Sequence, residues 1–370
     1  MASRRDLVLG YACTWWTPRA STWSYSSNRL RDALDAHARI VDIETQRSLH
    51  LRALEVAVGR LVRQPWQYSR LERALVDRRA RAGAARLRPD AVIEIADVDT
   101  PLAVANFPFQ DMSMALGVAL RTAGTAQFVN VLPASPRRLD ELARRSSERL
   151  RRASGVFAMS QWLADDMVAH GVPSERVRVV HAGLNSPPTA CRNPLRPVEG
   201  RLLFVGADFF RKGGDVVVAA AEQLRVRGVN VRLTIAGPRT WPLTGSPPAW
   251  VEFLGEVPST VLSGLWAQHD VFVMPSRFEA YGIVFVEALT AGLPCVAHNA
   301  FAMPELVRHG ETGLLVEEVE PEAVADAIAA ILARPAYFTA VADARPRLRA
   351  RHDWNHVAAA MVDFIAKHLS

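Results

Sequence analysis

PSRFEAYGIVFVEALTAGLPCVAH, residues 275–298, decides how this chain is read. It follows an apolar, β-rich run, Val271–Met274, and places Glu279 in a loop that ends at Gly282. Glu287 follows inside the helix-like Ile283–Ala291, which Gly282 and Gly292 bracket. A carboxylate at the carboxyl end of a strand, a flexible turn and a helix N-terminus is how an open α/β sheet presents a polar ligand. The helix start offers N–H groups and a positive dipole end to phosphate, and carboxylates accept hydrogen bonds from sugar hydroxyls. Two glutamates on a solvated helix face would be unremarked, but these two sit in the least polar part of the chain. The residues fit a nucleotide-sugar.

Outward from that segment, apolar β-rich runs alternate with helical ones. In the first half strands are expected near Leu7–Cys13, Ile40–Ile43, Ala91–Ala96, Phe128–Leu132, Gly155–Ser160 and Val177–Ala182, with helices such as Asn28–Ala36, Leu71–Ala85 and Gln161–His170 between them. The Pro-rich LNSPPTACRNPLRPVEG (184–200) has no periodicity and reads as an interdomain linker. A second alternation follows, with strands Arg201–Val205, Val231–Ala236, Val251–Leu254, Val271–Met274, Pro294–Ala297 and Leu314–Val316. Its helices are Asp215–Arg225, Thr260–Gln268, Ile283–Ala291 and Glu322–Leu332. Near-continuous apolar strands joined by helical crossovers imply parallel sheets covered on both faces. The fold class is therefore α/β, two Rossmann-like doubly wound parallel-sheet domains facing across a cleft. Asp353–Leu369 is an amphipathic helix with Val357, Met361, Phe364 and Ile365 on one face.

Length allows two domains with a core each. The three cysteines, Cys13, Cys191 and Cys295, are far apart and lack C-x-x-C spacing, which argues for a reducing, cytoplasmic compartment and against a disulfide framework or zinc site. MASRRDLVLGYACTWW reads as a first strand rather than a signal peptide, and no window approaches the length of a membrane span. The net charge is +6, nearly all of its positive side from Arg, with Lys212 and Lys367 the only lysines. Arg clusters at 137–152 and 345–351 leave peripheral contact with the inner face of a membrane open, although the first reads best as a charged helix packed on a sheet. No aromatic-interleaved basic motif or zinc-finger spacing supports nucleic acid.

RLLFVGADFFRKGGDVVVAA (201–220) is the second chemical segment. An apolar strand ends at Gly206, a loop carries Arg211 and Lys212, and Gly213 and Gly214 open a helix. Such glycines let backbone approach phosphate, and a Lys there supplies a point charge for a diphosphate, exposed until the ligand arrives. The segment is neither G-x-G-x-x-G nor a Walker A loop, so neither hydride transfer nor ATP hydrolysis is indicated.

With the flanking PSRFEAYG, EALTAGLPCVA and MPELVRHGETGLLVE (303–317), the Glu279–Glu287 pair resembles the E-x7-E signature of family-4 retaining glycosyltransferases of the GT-B fold. The resemblance implies that Glu279 binds donor-sugar hydroxyls and Glu287 the ribose, with Ala280, Tyr281, Gly282, Ile283 and Val284 forming the turn and helix start that meet the donor. Gly206, Lys212 and Gly213 match that family's G-R-x-x-x-x-K-G segment, but Ala207 stands where an Arg usually follows the first Gly. Arg211 is either the replacement for that charge or a solvated loop residue. FAMSQWLADDMVAHGVPSERVRVVHAGLN (157–185) resembles the last α/β unit of the family's N-terminal domain; His181 ends its strand, either packing a hinge or touching a ligand. The resemblance runs from about residue 155 to 320 and weakens before that.

In many relatives the N-terminal domain opens with a Gly-rich loop and carries a His near the reacting carbon; neither is evident. The loop TWWTPRASTWSYSS (14–27) is either an acceptor pocket, with Trp15 and Trp16 stacking on a sugar, or a packed loop using Trp as core. Asp111, in ANFPFQDMSMA (105–115), is the ionisable group where the His is expected, as a site residue or as a cap. Asp97-Val98-Asp99 has the form of a metal clamp but reads as acceptor-facing or capping. The implied domains are 1–185, a linker at 186–200, a donor domain at 201–352 and a terminal helix, 353–370, crossing back to the N-terminal domain. The implied reaction moves a sugar from a nucleoside-diphosphate-sugar, UDP or GDP first among the nucleotides, to the hydroxyl of a sugar-containing, small-molecule or lipid-linked acceptor. Lys212, Glu279 and Asp111 are its catalytic candidates, and it needs no metal and no cofactor. A GT-B phosphorylase, a sugar-nucleotide epimerase and a non-catalytic nucleotide-sugar-binding protein are the alternatives, and oligomeric state stays open.

Overall fold

The computed structural model describes residues 7–15, 22–23, 25–45, 70–95, 102–121 and 136–369. The chain divides into two compact units. Ser186–His352 form one, and the residues up to Asn185 join those from Asp353 onward in the other.

Among the described residues the first unit holds six strands: β1 (Val8–Cys13), β2 (Arg39–Glu44), β3 (Ala91–Glu94), β4 (Ala105–Gln110), β5 (Val156–Ala158) and β6 (Val177–Val179). They form one sheet in the order β2-β1-β3-β4-β5-β6, every pairing parallel. Its helices are α1 (Ser26–Leu34), α2 (Arg70–Leu87), α3 (Met114–Leu120), α4 (Pro136–Arg152) and α5 (Gln161–Ala169). Val76, Ala80 and Ala84 of α2 pack on Ala12, Ile43 and Val92 of the sheet. Leu150 at the end of α4 and Leu163 and Met167 of α5 pack on Val156 and Ala158. Helices on sheet faces explain why the central strands β1 and β3 are almost wholly buried rather than alternating.

ANFPFQ is itself a strand, which the sequence reading did not assign. Phe107 and Phe109 are buried on it, and Pro108, which removes a ladder donor and argues against an interior strand, hid it. Ser113 then caps α3 by accepting from the Leu116 N–H at 3.0 Å. The strand expected near Phe128–Leu132 lies outside the described residues. Within the Arg-rich α4, Arg144 pairs with Glu148, Arg138 and Arg145 pair with Glu141, and Arg149 turns inward to the buried Glu94 at 3.2 Å.

The second unit holds β7 (Arg201–Val205), β8 (Arg232–Ala236), β9 (Val251–Gly255), β10 (Val271–Met274), β11 (Cys295–His298) and β12 (Gly313–Val316). Their order is β12-β11-β10-β7-β8-β9, again all parallel. Counted from β7, this is the 3-2-1-4-5-6 order of the doubly wound sheet, which reverses direction between β7 and β10. Helices α6 (Gly214–Val226), α7 (Ser259–Leu265), α8 (Ile283–Thr290), α9 (Met303–Leu306), α10 (Pro321–Leu332) and α11 (Ala336–Arg351) cover it. The last helix, α12 (Trp354–Leu369), belongs to the first unit, where it packs on α1 and sets Phe364 against Phe107 and Phe157. Among the described residues no single helix is long and apolar enough to cross a membrane.

Part of the Pro-rich stretch is fastened to the second unit by Asp270, the residue before β10. Its buried carboxylate accepts from Arg192 Nε (3.1 Å), Arg196 Nη2 (2.7 Å) and the N–H groups of Glu199 (2.9 Å) and Arg201 (3.0 Å). Burial alone would raise the Asp270 pKa, but these bonds outweigh it and hold the group below its ordinary value.

Candidate functional site

Ligands of open α/β sheets bind beyond the carboxyl ends of the strands where the strand order reverses. In the second unit that point is the gap between β7 and β10, and both chemical segments emerge there. Gly206 follows β7, Pro275–Glu279 follows β10, and α6 and α8 begin just beyond.

Lys212 is not exposed in its turn, as the sequence reading expected. Its Nζ lies 2.8 Å from Glu279 Oε2, and the two side chains are only 15% and 14% exposed. The lysine methylenes lie across Gly206, where a Cβ would come within 2.1 Å of Lys212 Cδ. The absent side chain at Gly206 thus makes room for Lys212. Arg211 stands beside it, with Nη1 3.6 Å from the same Glu279 oxygen, Nε 2.9 Å from Asp208 and Nη1 2.8 Å from the Phe278 carbonyl. Arg211, the candidate replacement for the charge missing at Ala207, thus lies on the same side of the loop as Lys212.

Gly213 needs to be glycine twice over. It takes φ +76° at the cap of α6, and a Cβ would lie 2.5 Å from the Pro275 carbonyl oxygen. Gly282 plays the same part for α8, at φ +93°. Gly282 has no side chain with which to cap α8, and no acidic residue occupies its first turn. The Phe285 N–H donates to the Gly282 carbonyl at 2.9 Å, so the N–H groups that could meet an anion are those of Ile283 and Val284. Ala280, Ile283 and Val284 place backbone at that end, whereas the Tyr281 ring is buried with its hydroxyl toward His352 (3.4 Å).

Glu287 is the single ionisable group of α8 (IVFVEALT), whose other residues after Ile283 are all buried. It is 9% exposed. Burial pushes its pKa up to about 7, with Lys212 pulling the other way. A carboxyl group desolvated in an apolar helix costs stability, which makes Glu287, with Lys212 acting on it electrostatically, a candidate for a functional position.

The other candidates lie in the first unit. Asp111 follows β4 and accepts from Trp23 Nε1 at 3.3 Å; Trp23 packs edge-on against Phe109. Trp15 is 3% exposed and its ring stacks on Tyr11 at 5.8 Å, so its face serves the core rather than a sugar. His181 follows β6 with a left-handed backbone, φ +57°. Trp16, Asp97 and Asp99 lie outside the described residues. Among the described residues no three His, Cys, Asp or Glu side chains gather to hold a metal.

The sequence reading passed over Arg277 and Asp215. Their guanidinium and carboxylate meet across the two loops at 2.6 and 2.8 Å. The only signals were an Arg inside PSRFE and an acid in the first turn of α6.

Residues 199–334 match the family of group 1 glycosyl transferases. The glycogen synthase of Mycobacterium tuberculosis is 31% identical over 222 residues, which are 57% of this chain and 53% of that protein. From the same organism, the GDP-mannose-dependent alpha-(1-6)-phosphatidylinositol monomannoside mannosyltransferase is 35% identical over 170 residues, 42% of this chain and 44% of its own. The chain thus spans about half the length of these curated relatives. Among solved structures, that of Anabaena Alr3699/HepE in complex with UDP and glucose superposes with a TM-score of 0.65 at 15% identity, covering 98% of this chain and all of the other. The fold is GT-B, two Rossmann-like parallel-sheet domains.

Proposed function

We propose that this chain is a retaining glycosyltransferase that takes a sugar from a nucleoside-diphosphate-sugar and needs no metal. The observation that carries the reading is the meeting of Lys212, Glu279 and the uncapped start of α8 at the switch point, with Glu287 buried behind them. The donor diphosphate lies on Lys212, Arg211 and the α8 N–H groups, which supply the positive charge a metal would otherwise provide. Glu287 accepts from the ribose and Glu279 from the sugar.

The α8 end and Lys212 act on the developing negative charge of the leaving diphosphate, so their interactions strengthen as the bond from the anomeric carbon to the β-phosphate oxygen breaks. The acceptor hydroxyl forms its bond to that carbon on the departing face, and its proton passes to the leaving phosphate oxygen. Nothing in this scheme needs the paired acid and base of a glycoside hydrolase. Support for the donor class comes from the group 1 match over 199–334 and from a structural neighbour solved with UDP and glucose. Asp111 and His181 are our acceptor-side candidates in the first unit.

A thermal-shift panel of UDP-, GDP- and dTDP-sugars in EDTA tests the reading, because a ligand of the folded state alone raises the apparent melting temperature. A shift with at least one of them is expected. Phosphate-dependent sugar release without any nucleotide would replace the reading with a phosphorylase.

A further inference from the structure

The loops carrying Lys212 and Glu279 are tied to one another through Arg277. Its two terminal nitrogens hold both oxygens of Asp215, at 2.6 and 2.8 Å. Nη1 also donates to the Phe210 carbonyl at 2.6 Å, and the Arg277 backbone N–H donates to the Arg211 carbonyl at 2.8 Å. In the opposite direction Arg211 Nη1 donates to the Phe278 carbonyl at 2.8 Å. The dipeptide Arg211-Lys212 is thus gripped on its N-terminal side at Phe210, at its own backbone, and on its C-terminal side through Asp215.

We infer that Arg277 and Asp215 are positioning residues that hold Arg211 and Lys212 in register for the donor diphosphate; this rests on the function proposed above. Charge supports the assignment as well as geometry. Three cations, Arg211, Lys212 and Arg277, are paired with three carboxylates, Asp208, Glu279 and Asp215. A dianionic ligand draws on Arg211 and Lys212, and Arg277 keeps the Asp215 carboxylate occupied while it does so. Arg277 and Asp215 are partly exposed, and a partly exposed ion pair contributes little to global stability. A planar fork bonded to both a carboxylate and a carbonyl does, however, fix geometry, and small displacements of charged groups at a phosphate site are costly to binding and turnover. Lysine at this position keeps the charge and loses the fork.

The test is calorimetric titration of the full chain with UDP and with GDP, at two salt concentrations, alongside melting temperatures. Wild type is compared with Arg277→Ala, Arg277→Lys, Asp215→Asn and the double variant Arg277→Ala/Asp215→Asn. Arg277→Ala should weaken nucleoside-diphosphate binding about 10-fold or more and flatten its salt dependence, with the melting temperature nearly unchanged. Arg277→Lys should recover only part of that loss, and the double variant should be no weaker than Arg277→Ala, because the two act as one unit. Unchanged affinity in the single variants, additive losses, full recovery by Lys, or losses that track the melting temperature would overturn the positioning role alone. Wild type that binds neither nucleotide would overturn the donor-site reading along with it.

Discussion

Replacing Glu279 by Gln should strengthen the binding of bare nucleoside diphosphate while impairing transfer from a nucleotide-sugar. Glu279 Oε2 holds Lys212 Nζ at 2.8 Å and lies 3.6 Å from Arg211 Nη1. A diphosphate that takes Lys212 ends that bond. A charge-assisted bond of this kind is worth about 1.5–3 kcal/mol when buried, less with solvent access, so about 1–2 kcal/mol applies here. The neutral amide of the Glu279→Gln variant removes that competition, and UDP or GDP should bind about 5- to 30-fold tighter. With a nucleotide-sugar the sign reverses, since the carboxylate no longer accepts from sugar hydroxyls as the bond breaks. The kcat/KM for transfer or for donor hydrolysis should fall about 10- to 100-fold. Calorimetric titration with UDP and GDP gives the first quantity, and release of nucleoside diphosphate from the sugar nucleotide gives the second. Nucleoside-diphosphate affinity that is unchanged or weaker in Glu279→Gln would refute the exchange of Lys212 from Glu279 to phosphate.

Lys212→Ala should lower turnover about 100-fold or more, as losing one donor to the developing charge does, while the melting temperature moves little; full activity, or a loss equal to the unfolded fraction, would refute it. Glu287→Gln should weaken UDP and GDP binding yet stabilise the unliganded chain above neutral pH. Burial raises the folded-state pKa of Glu287 from an ordinary 4.5 to about 7, so the folded chain binds the extra proton between those values. The stability linked to that proton is fully present below about pH 4.5 and is lost as pH rises through about 7, on the order of 3 kcal/mol at most. The melting-temperature gap between Glu287→Gln and wild type should therefore widen from pH 5 to pH 8, and an equal gap at both would contradict the buried carboxyl.

Much of the fold was legible because parallel strands covered on both faces leave apolar runs that no other element explains; β7 and β10 fall at the expected residues. β4 was missed because Pro108 breaks the strand pattern that Phe107 and Phe109 otherwise follow. For the candidate site, the placing of Gly206, Lys212, Gly213, Glu279, Gly282 and Glu287 at one end of one sheet follows from their positions at strand ends and helix starts. What joins them is not readable from local sequence. Lys212 and Glu279 are separated by 67 residues, and Arg277 and Asp215 by 62. No periodicity or turn chemistry encodes such a pairing; only the adjacency of β7 and β10 brings the two loops together. The Trp-rich loop shows the same limit from the other side, since Trp15 suited a sugar-stacking face and a core position equally until its ring was found against Tyr11.

The most direct measurement of the central claim is proton NMR of the sugar released when the chain is given UDP-glucose or GDP-mannose in the presence of EDTA, with water as the acceptor. The anomeric signal is followed from the first turnovers, before mutarotation mixes the anomers. The first sugar formed should have the anomeric configuration of the donor, in wild type and without added metal. A first product of inverted configuration would contradict the retaining mechanism. Release that appears only when magnesium or manganese is restored would show that Lys212, Arg211 and the start of α8 do not carry the charge assigned to them.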